Sequence, residues 1–359
     1  MERPIYKDIG TDILQLDTPS LFVDLDALSN NLTNANDYFL GTNKKLCPSV
    51  SEHGVPAIAN MQTSENLTSS EIYVDTFSQG KHFSQNGFTK ILIGASPTVP
   101  KRLQYIPDLC TNSEITVLVR EMGAISDIAD VLGDGLSSLS VLIPITLSSD
   151  IWGLRVGDEC ARLAEQIGNC KWLNFRGYFL DLDQLGITDK IDYRDEINGL
   201  KEILSHLESI GREIVVKSRD IEQILMETPY RFTSVTGLYP FSQRVLKGDS
   251  DTVTCGIVST VMSVPEKGRA YLDCGQKAIS IDKGLPTVAG LGASYIEAMS
   301  AEHGYLVSDR DLPDIELGQR VVLLPSDIGG AFNVHDLVYM MENKMLRSVW
   351  EISSRGHFS

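Results

Sequence analysis

Between Ser20 and about Ser234 the chain alternates short apolar runs with longer segments whose apolar residues recur every three or four positions. The runs are Leu21–Leu25, Lys45–Val50, Ile72–Asp75, Ile91–Gly94, Ile115–Val119, Ser140–Leu147, Phe175–Asp181 and Ile214–Ser218. Their length and continuous apolar character predict buried strands. Segments such as Asp158–Gly168 and Tyr193–Gly211 read as helices. In the second, Ile197, Leu200, Ile203, Leu204, Leu207 and Ile210 form one apolar stripe. Eight strands alternating with helices predict an α/β fold, most simply a closed (β/α)8 TIM-type barrel. An open doubly wound sheet is the rival, and no G-x-G-x-x-G follows the first strand to support it.

After about Thr236 helical periodicity is scarce. Thr252–Val264, Arg269–Asp273, Arg320–Leu324 and Leu337–Ile352 read as strands separated by turn residues, which predicts a second, mostly β domain. The chain's 359 residues suffice for one large domain or two ordinary ones. A net charge of −17, without any basic run, argues against nucleic acid. No stretch reaches the roughly 18 consecutive apolar residues of a membrane span. Met1-Glu2-Arg3-Pro4-Ile5 lacks a signal-peptide apolar region, so a cytoplasmic location is expected. The six cysteines, with no C-x-x-C pair, read as free buried thiols, a zinc cluster or disulfide frame being the weaker alternative.

Several segments carry a resemblance. Leu16-Asp17-Thr18-Pro19-Ser20-Leu21-Phe22-Val23-Asp24-Leu25-Asp26-Ala27-Leu28, the long stretch Arg269–Pro286, Ala301-Glu302-His303-Gly304 and Asn333-Val334-His335-Asp336 are similar, in this order, to segments of the D-threonine aldolase and D-serine dehydratase family. Asp75–Gly80 matches more weakly. The family has an alanine racemase-type barrel and uses pyridoxal phosphate (PLP). The resemblance implies a barrel over 17–235 and a β domain formed by 1–16 and 236–359, with a pocket where the two meet, and a homodimer.

The departures lie where the chemistry should be. The family motif Arg-Pro-His-x-Lys-Thr-His-Lys carries the lysine that joins the cofactor. Aligned on Pro48 and His53 of Leu46–Gly54, that lysine becomes Ser51. A hydroxyl cannot condense with an aldehyde to an imine. In Pro325–Asp336 the family's metal ligands become Asp327 and Gly329. A strand-end tyrosine falls near Asp181, an arginine aligns with Ile151, and Lys217-Ser218-Arg219-Asp220 stands where a glycine-rich phosphate cradle is implied.

The remaining polar residues define the candidates. His53, Asp181, His303 and Tyr239 are candidate catalytic groups, and Ser51, Lys217, Arg219, Asp327 and His335 candidate substrate-binding groups. Asp181 and Asp183 share a strand face, as do Lys217 and Arg219. Solvated carboxylates, a structural histidine and local ion pairs of Lys217 or Arg219 with Asp220 or Glu222 are the competing readings. The expected protein is a divergent, PLP-independent relative with no cofactor and no metal. It would perform acid–base lyase, dehydratase, cyclase or condensation chemistry on a small anionic or amino-acid-like substrate. The alternative is an inert pseudoenzyme that binds a ligand or pairs with an active paralogue. Lys217 is the only substitute amine if PLP is retained.

Overall fold

The structure is a computed structural model describing residues 7–64, 70–133, 139–146, 152–183, 194–218, 226–241, 253–308 and 315–359. It divides into two compact units, Ala35–Ser51, Ile58–Gly237 and His357–Ser359 in one, and Met1–Asn34, Glu52–Ala57 and Leu238–Gly356 in the other.

The first unit is a barrel. Its strands are β2 (Lys45–Pro48), β3 (Ile72–Val74), β4 (Lys90–Ile93), β5 (Glu114–Leu118), β6 (Leu139–Ile145), β7 (Leu173–Asp181), β8 (Glu213–Lys217) and β9 (Thr233–Thr236). All pair in parallel in the order β2-β9-β8-β7-β6-β5-β4-β3. A bridge between Ser49 and Tyr73, with the Val50 amide 3.0 Å from the Tyr73 carbonyl, brings the first strand against the last and nearly closes the ring. The helices are α1 (Leu25–Leu40), which begins in the other unit, α2 (Pro56–Gln62), α3 (Phe77–Gln85), α4 (Pro100–Leu103), α5 (Ile106–Asn112), α6 (Met122–Leu132), α7 (Asp158–Asn169) and α8 (Arg194–Ile210). The apolar stripes turn inward: Cys160, Leu163 and Ile167 of α7, and Leu200, Leu204 and Leu207 of α8, are buried, whereas Ile210 is exposed.

The barrel interior holds one buried side chain from every strand: Cys47, Tyr73, Leu92, Leu118, Leu142, Phe179, Val215 and Val235. Tyr73 and Phe179 stack across it with centroids 6.1 Å apart. Gly94 makes room, because a Cβ there would run into the Tyr73 hydroxyl. At the N-terminal ends of the strands the filling is ionic. The Arg176 guanidinium donates to Glu71 (2.5 and 2.7 Å), Glu213 (2.6 and 3.0 Å) and Thr116 (2.9 Å). A register shift in β7 beside Gly177 lets Arg176 and Phe179 both serve the interior despite their odd spacing. Gly177 is required because a Cβ would strike the Glu213 backbone.

The second unit carries a nine-stranded sheet. Its strands are β1 (Ser20–Asp24), β10 (Cys255–Glu266), β11 (Arg269–Leu272), β12 (Thr287–Ala289), β13 (Tyr295–Met299), β14 (Gly304–Val307), β15 (Arg320–Leu324), β16 (Leu337–Glu342) and β17 (Met345–Glu351). The main path is β13-β14-β11-β10-β1-β16-β17, with β15 on β10 and β12 on β15. A short helix, α9 (Ile328–Asn333), follows β15.

Three strand expectations change. The first expected barrel strand, Leu21–Leu25, is β1, which pairs with β10 and β16. The eighth barrel strand is β9, whose Thr-Ser-Val-Thr sequence gave no apolar run although all four residues are buried. The single strand expected over Leu337–Ile352 is a hairpin. Asn343 (φ 51°) and Lys344 (φ 63°) form its turn, the left-handed pair that a tight two-residue connection needs. All six cysteines are free, and burial pushes the Cys255 and Cys274 thiols up to about 12.

Arg176→Met should destabilise the protein by about 3 kcal/mol or more, since two half-buried carboxylates lose their partner. Burial raises the Glu213 carboxyl, but Arg176 outweighs it and holds it below its ordinary 4.5. Its stabilising contribution is therefore present above pH 4.5 and is lost as pH falls through the depressed value. Thermal melts should show the gap between wild type and Arg176→Met narrowing below pH 4.5. A gap independent of pH would refute this role.

Candidate active site

Among the described residues at the C-terminal ends of the barrel strands, one polar cluster comes from β7, β8 and the segments after β2 and β3. The Lys217 ammonium, at the end of β8, lies 3.4 Å from Asp181 Oδ2 and 3.2 Å from Asp183 Oδ2. All three side chains are under one-fifth exposed. Asp181 is further fixed by the Asp183 amide, which donates to its Oδ1 at 3.1 Å. The Lys217 amine also stands 5.7 Å from the Tyr73 ring centroid, above the apolar layer.

The charges are unbalanced. Burial works against the Lys217 charge, but Asp181, Asp183 and Asp75 outweigh it and raise its pKa above the ordinary lysine value. Burial, with Asp183 beside it, raises the Asp181 carboxyl despite the opposing pull of Lys217. Burial and the same acids push the Tyr73 phenol well up, so it stays neutral.

Ser51 lies at the end of this mouth that follows β2. Its hydroxyl donates to Gln79 Oε1 at 3.0 Å and accepts from the Asp75 amide at 2.8 Å. Gln79 Oε1 accepts from the same amide at 3.1 Å. Gln79 is held in turn by the helix start: Thr76 caps α3 and accepts from the Gln79 amide at 3.2 Å. Thr76-x-x-Gln79 is a capping-box spacing, the signal that could have marked Gln79 in the sequence.

The other unit holds a separate polar cluster beside α9. Asp327 is buried, and its carboxylate is 3.0 Å from the Lys283 amine and accepts from Ser280 Oγ at 2.8 Å. Burial would raise this carboxyl; Lys283 and Ser280 outweigh it and lower it. A Cβ on Gly329 would come within 2.5 Å of the Glu52 carboxylate, and one on Gly330 would strike Asp327 and Ser280. The two glycines thus make room for two carboxylates, a reason for Gly329 beyond the loss of a ligand. His335 Nε2 is 2.8 Å from the Ala278 carbonyl, and burial lowers its pKa.

The remaining candidates divide between the units. His53 is fully buried, edge-on to Phe241 and Phe332, with Nδ1 accepting from the Val55 amide at 3.0 Å. That leaves its proton on Nε2. Tyr239 is buried, and His303 is exposed in a turn where its amide donates to Ser300 Oγ. Ser51, Asp181 and Lys217 belong to the barrel unit, and His53, Tyr239, His303, Asp327 and His335 to the other. Arg219, Asp220, Glu222 and Ile151 lie outside the described residues. Lys217 makes its ion pairs with Asp181 and Asp183, acids 36 and 34 residues away. Among the described residues no group of three or more His, Cys, Asp or Glu side chains is arranged to hold a metal.

The family model of a putative serine dehydratase domain matches residues 254–341. D-threonine aldolase from Arthrobacter sp. is 22% identical over 97% of this chain and 95% of its own length. A 3-hydroxy-D-aspartate aldolase of Paracoccus denitrificans is 24% identical over 97% of the chain and 94% of its own length. The crystal structure of D-threonine aldolase from Filomicrobium marinum superposes with a TM-score of 0.86 at 23% identity, covering 98% of this chain and all of that one. The fold is accordingly the alanine racemase-like combination of barrel and β domain. The expectation that no cofactor is used is overturned here. D-threonine aldolase and the hydroxyaspartate enzymes that match this chain are PLP-dependent.

Gly330→Ala should cost about 1–3 kcal/mol, as overpacking against a fixed carboxylate and serine does. Gly329→Ala should cost less, because the Glu52 side chain it meets can swing aside. Denaturant midpoints of the two variants test this order, and the reverse order would contradict it.

Proposed function

We propose that the protein is a PLP-dependent lyase that cleaves or dehydrates a small β-hydroxy amino acid at the C-terminal mouth of its barrel, in the cytoplasm. The observation that carries this reading is the Lys217–Asp181–Asp183 cluster on the face where barrel enzymes hold their chemistry. Its support is likeness to D-threonine aldolase and 3-hydroxy-D-aspartate aldolase over 97% of the chain.

PLP supplies an aldehyde for amines and an electron sink for the bond that breaks. The residues fit such a group only in part. Ser51, hydrogen-bonded to Gln79 and Asp75, offers no amine. Lys217 does, and among the described lysines it is the one on the inner side of the barrel at this end. The chain's own groups have defined tasks. Asp181, its carboxyl raised by burial, accepts or returns a proton. The carboxylate excess of Asp75, Asp181 and Asp183 favours a substrate ammonium group. That favours an amino-acid-like over a purely anionic substrate.

With PLP added, the protein should release aldehyde or oxo acid from D-threonine or D-3-hydroxyaspartate. Asp181→Asn should lower kcat by about 100-fold or more at unchanged fold. A wild-type protein that takes up PLP but turns over none of these substrates would favour the ligand-binding pseudoenzyme instead.

The reading includes a homodimer. The sheet of the second unit exposes Met262 (53%), Tyr295 (54%), Tyr271 (38%) and Val264 (36%). Tyr271 packs edge-on against Tyr305 at 5.1 Å on neighbouring strands. An apolar face of this kind marks a surface that a partner covers. Light scattering should give twice the chain mass at micromolar concentration, and Tyr295→Glu with Met262→Lys should give one chain mass. A wild-type monomer would refute the dimer.

A further inference from the structure

We propose that Arg120 is the anchor for the carboxylate of an amino-acid substrate, in the same layer of the barrel mouth as the acids that receive its ammonium group. The inference rests on the amino-acid-like substrate read above and adds to it the residue that tells an amino acid from a simple amine. Its ground is the stagger of the barrel. Tyr73 of β3, Leu118 of β5, Phe179 of β7 and Val235 of β9 lie together in the interior. Alternate strands of a barrel supply one such layer, and side chains return to the same face every two residues. One step toward the N-terminal ends, Glu71 and Thr116 meet on Arg176 of β7 through hydrogen bonds of 2.5, 2.7 and 2.9 Å. The stagger therefore holds in contacts as well as in count. One step toward the C-terminal ends, the same four strands place Asp75, Arg120, Asp181 and Gly237. Asp181 meets Lys217 of the neighbouring β8 there. This layer holds one guanidinium and two carboxylates, and glycine leaves its fourth side without a side chain.

The surroundings of Arg120 suit an anchor. The Val119 amide donates to the Leu142 carbonyl at 3.0 Å, which keeps the chain extended past the last residue of β5. Val119 is completely buried on the outer face, and the alternation turns Arg120 inward. Arg120 Nε donates to the Gly153 carbonyl at 3.0 Å. Gly153 lies against the end of β6, where a Cβ would come within 3.0 Å of Thr146 Cβ, so glycine lets that carbonyl approach. Arg120 Nη1 donates to Glu121, the next residue and an exposed one. Nη2, with two N–H groups, has no partner among the described residues, and the side chain is 32% exposed. One edge is fixed and the other is open, the arrangement in which a guanidinium receives a carboxylate. The exposed pair with Glu121 competes weakly, because solvent screens it. Lys217 is no rival for the carboxylate, since Asp181 and Asp183 enclose its ammonium. Asp75 is exposed and forms no ion pair among the described residues, so it is the acid open to a substrate ammonium. The layer thus matches a zwitterion, its carboxylate on Arg120 and its ammonium on Asp75.

The test uses the full chain with D-alanine and D-alaninol. The two differ only in carboxylate against hydroxymethyl, and both lack the β-hydroxyl on which the proposed cleavage depends. In calorimetric titrations wild type should bind D-alanine about tenfold or more tighter than D-alaninol, as one charge-assisted pair allows. Arg120→Met should bring that ratio to about one at an unchanged thermal midpoint. Arg120→Lys should keep part of it, a point charge without the planar fork, and serves if the methionine variant does not fold. A ratio that survives intact in both variants overturns the inference. So does a wild type that binds the two compounds equally or binds neither. Turnover of D-threonine with PLP added is measured separately on wild type. Turnover together with a ratio indifferent to Arg120 removes the anchor and leaves the lyase reading. A ratio that collapses in Arg120→Met without any turnover supports the anchor and removes the lyase reading.

Discussion

A barrel whose interior is filled by one apolar side chain from each of eight strands has no place for charge except at its two ends. Cys47, Tyr73, Leu92, Leu118, Leu142, Phe179, Val215 and Val235 make that layer, and the charged residues sort above and below it. Each end carries a cation between two acids: Arg176 with Glu71 and Glu213 at the N-terminal end, Lys217 with Asp181 and Asp183 at the other. The two triads are not equivalent. Arg176 has donors enough to satisfy both acids in two-pronged geometry, which makes the N-terminal end a clamp. Lys217 holds its acids at 3.2 and 3.4 Å with one amine, and one of those acids is raised by burial. Fixed ion pairs stabilise a fold; a loosely held one can exchange a proton.

The strand ends and the site were legible to different degrees in the sequence. Continuous apolar runs fixed the positions of seven barrel strands, because a parallel strand buried on both faces needs them. They did not fix partners. Leu21–Leu25 reads like a barrel strand and pairs instead with Cys255–Val258 and with β16, since a five-residue run carries no record of its neighbour. Thr233–Thr236 was missed for the opposite reason: threonine and serine fill a narrow interior without looking apolar. Likewise, Asp181 and Lys217 were visible singly, but their pairing spans 36 residues and only the barrel brings it about. Gln79 was written in the cap of α3. Gly329 read as a lost ligand, and the structure adds that the Glu52 carboxylate needs the room.

The two clusters also show how polar residues are satisfied within this frame. Exchanging an amine for a hydroxyl at Ser51 leaves the loop intact, because Gln79 and the Asp75 amide complete the serine's hydrogen bonds. Lys283 and Ser280 around Asp327 keep a buried carboxylate charged. In both places the polar residue has its partners, as the energetics of such groups demand.

The central claim is that the chemistry belongs to the Lys217–Asp181 end of the barrel. The most direct measurement is a crystal structure of the protein grown with PLP and D-threonine. The account predicts ligand density within hydrogen-bonding distance of Asp181 and Lys217. Density confined to the cleft of about 350 Å³ around Arg176 and Glu71, or a mouth with Lys217 still between its two acids and no ligand beside it, would contradict it.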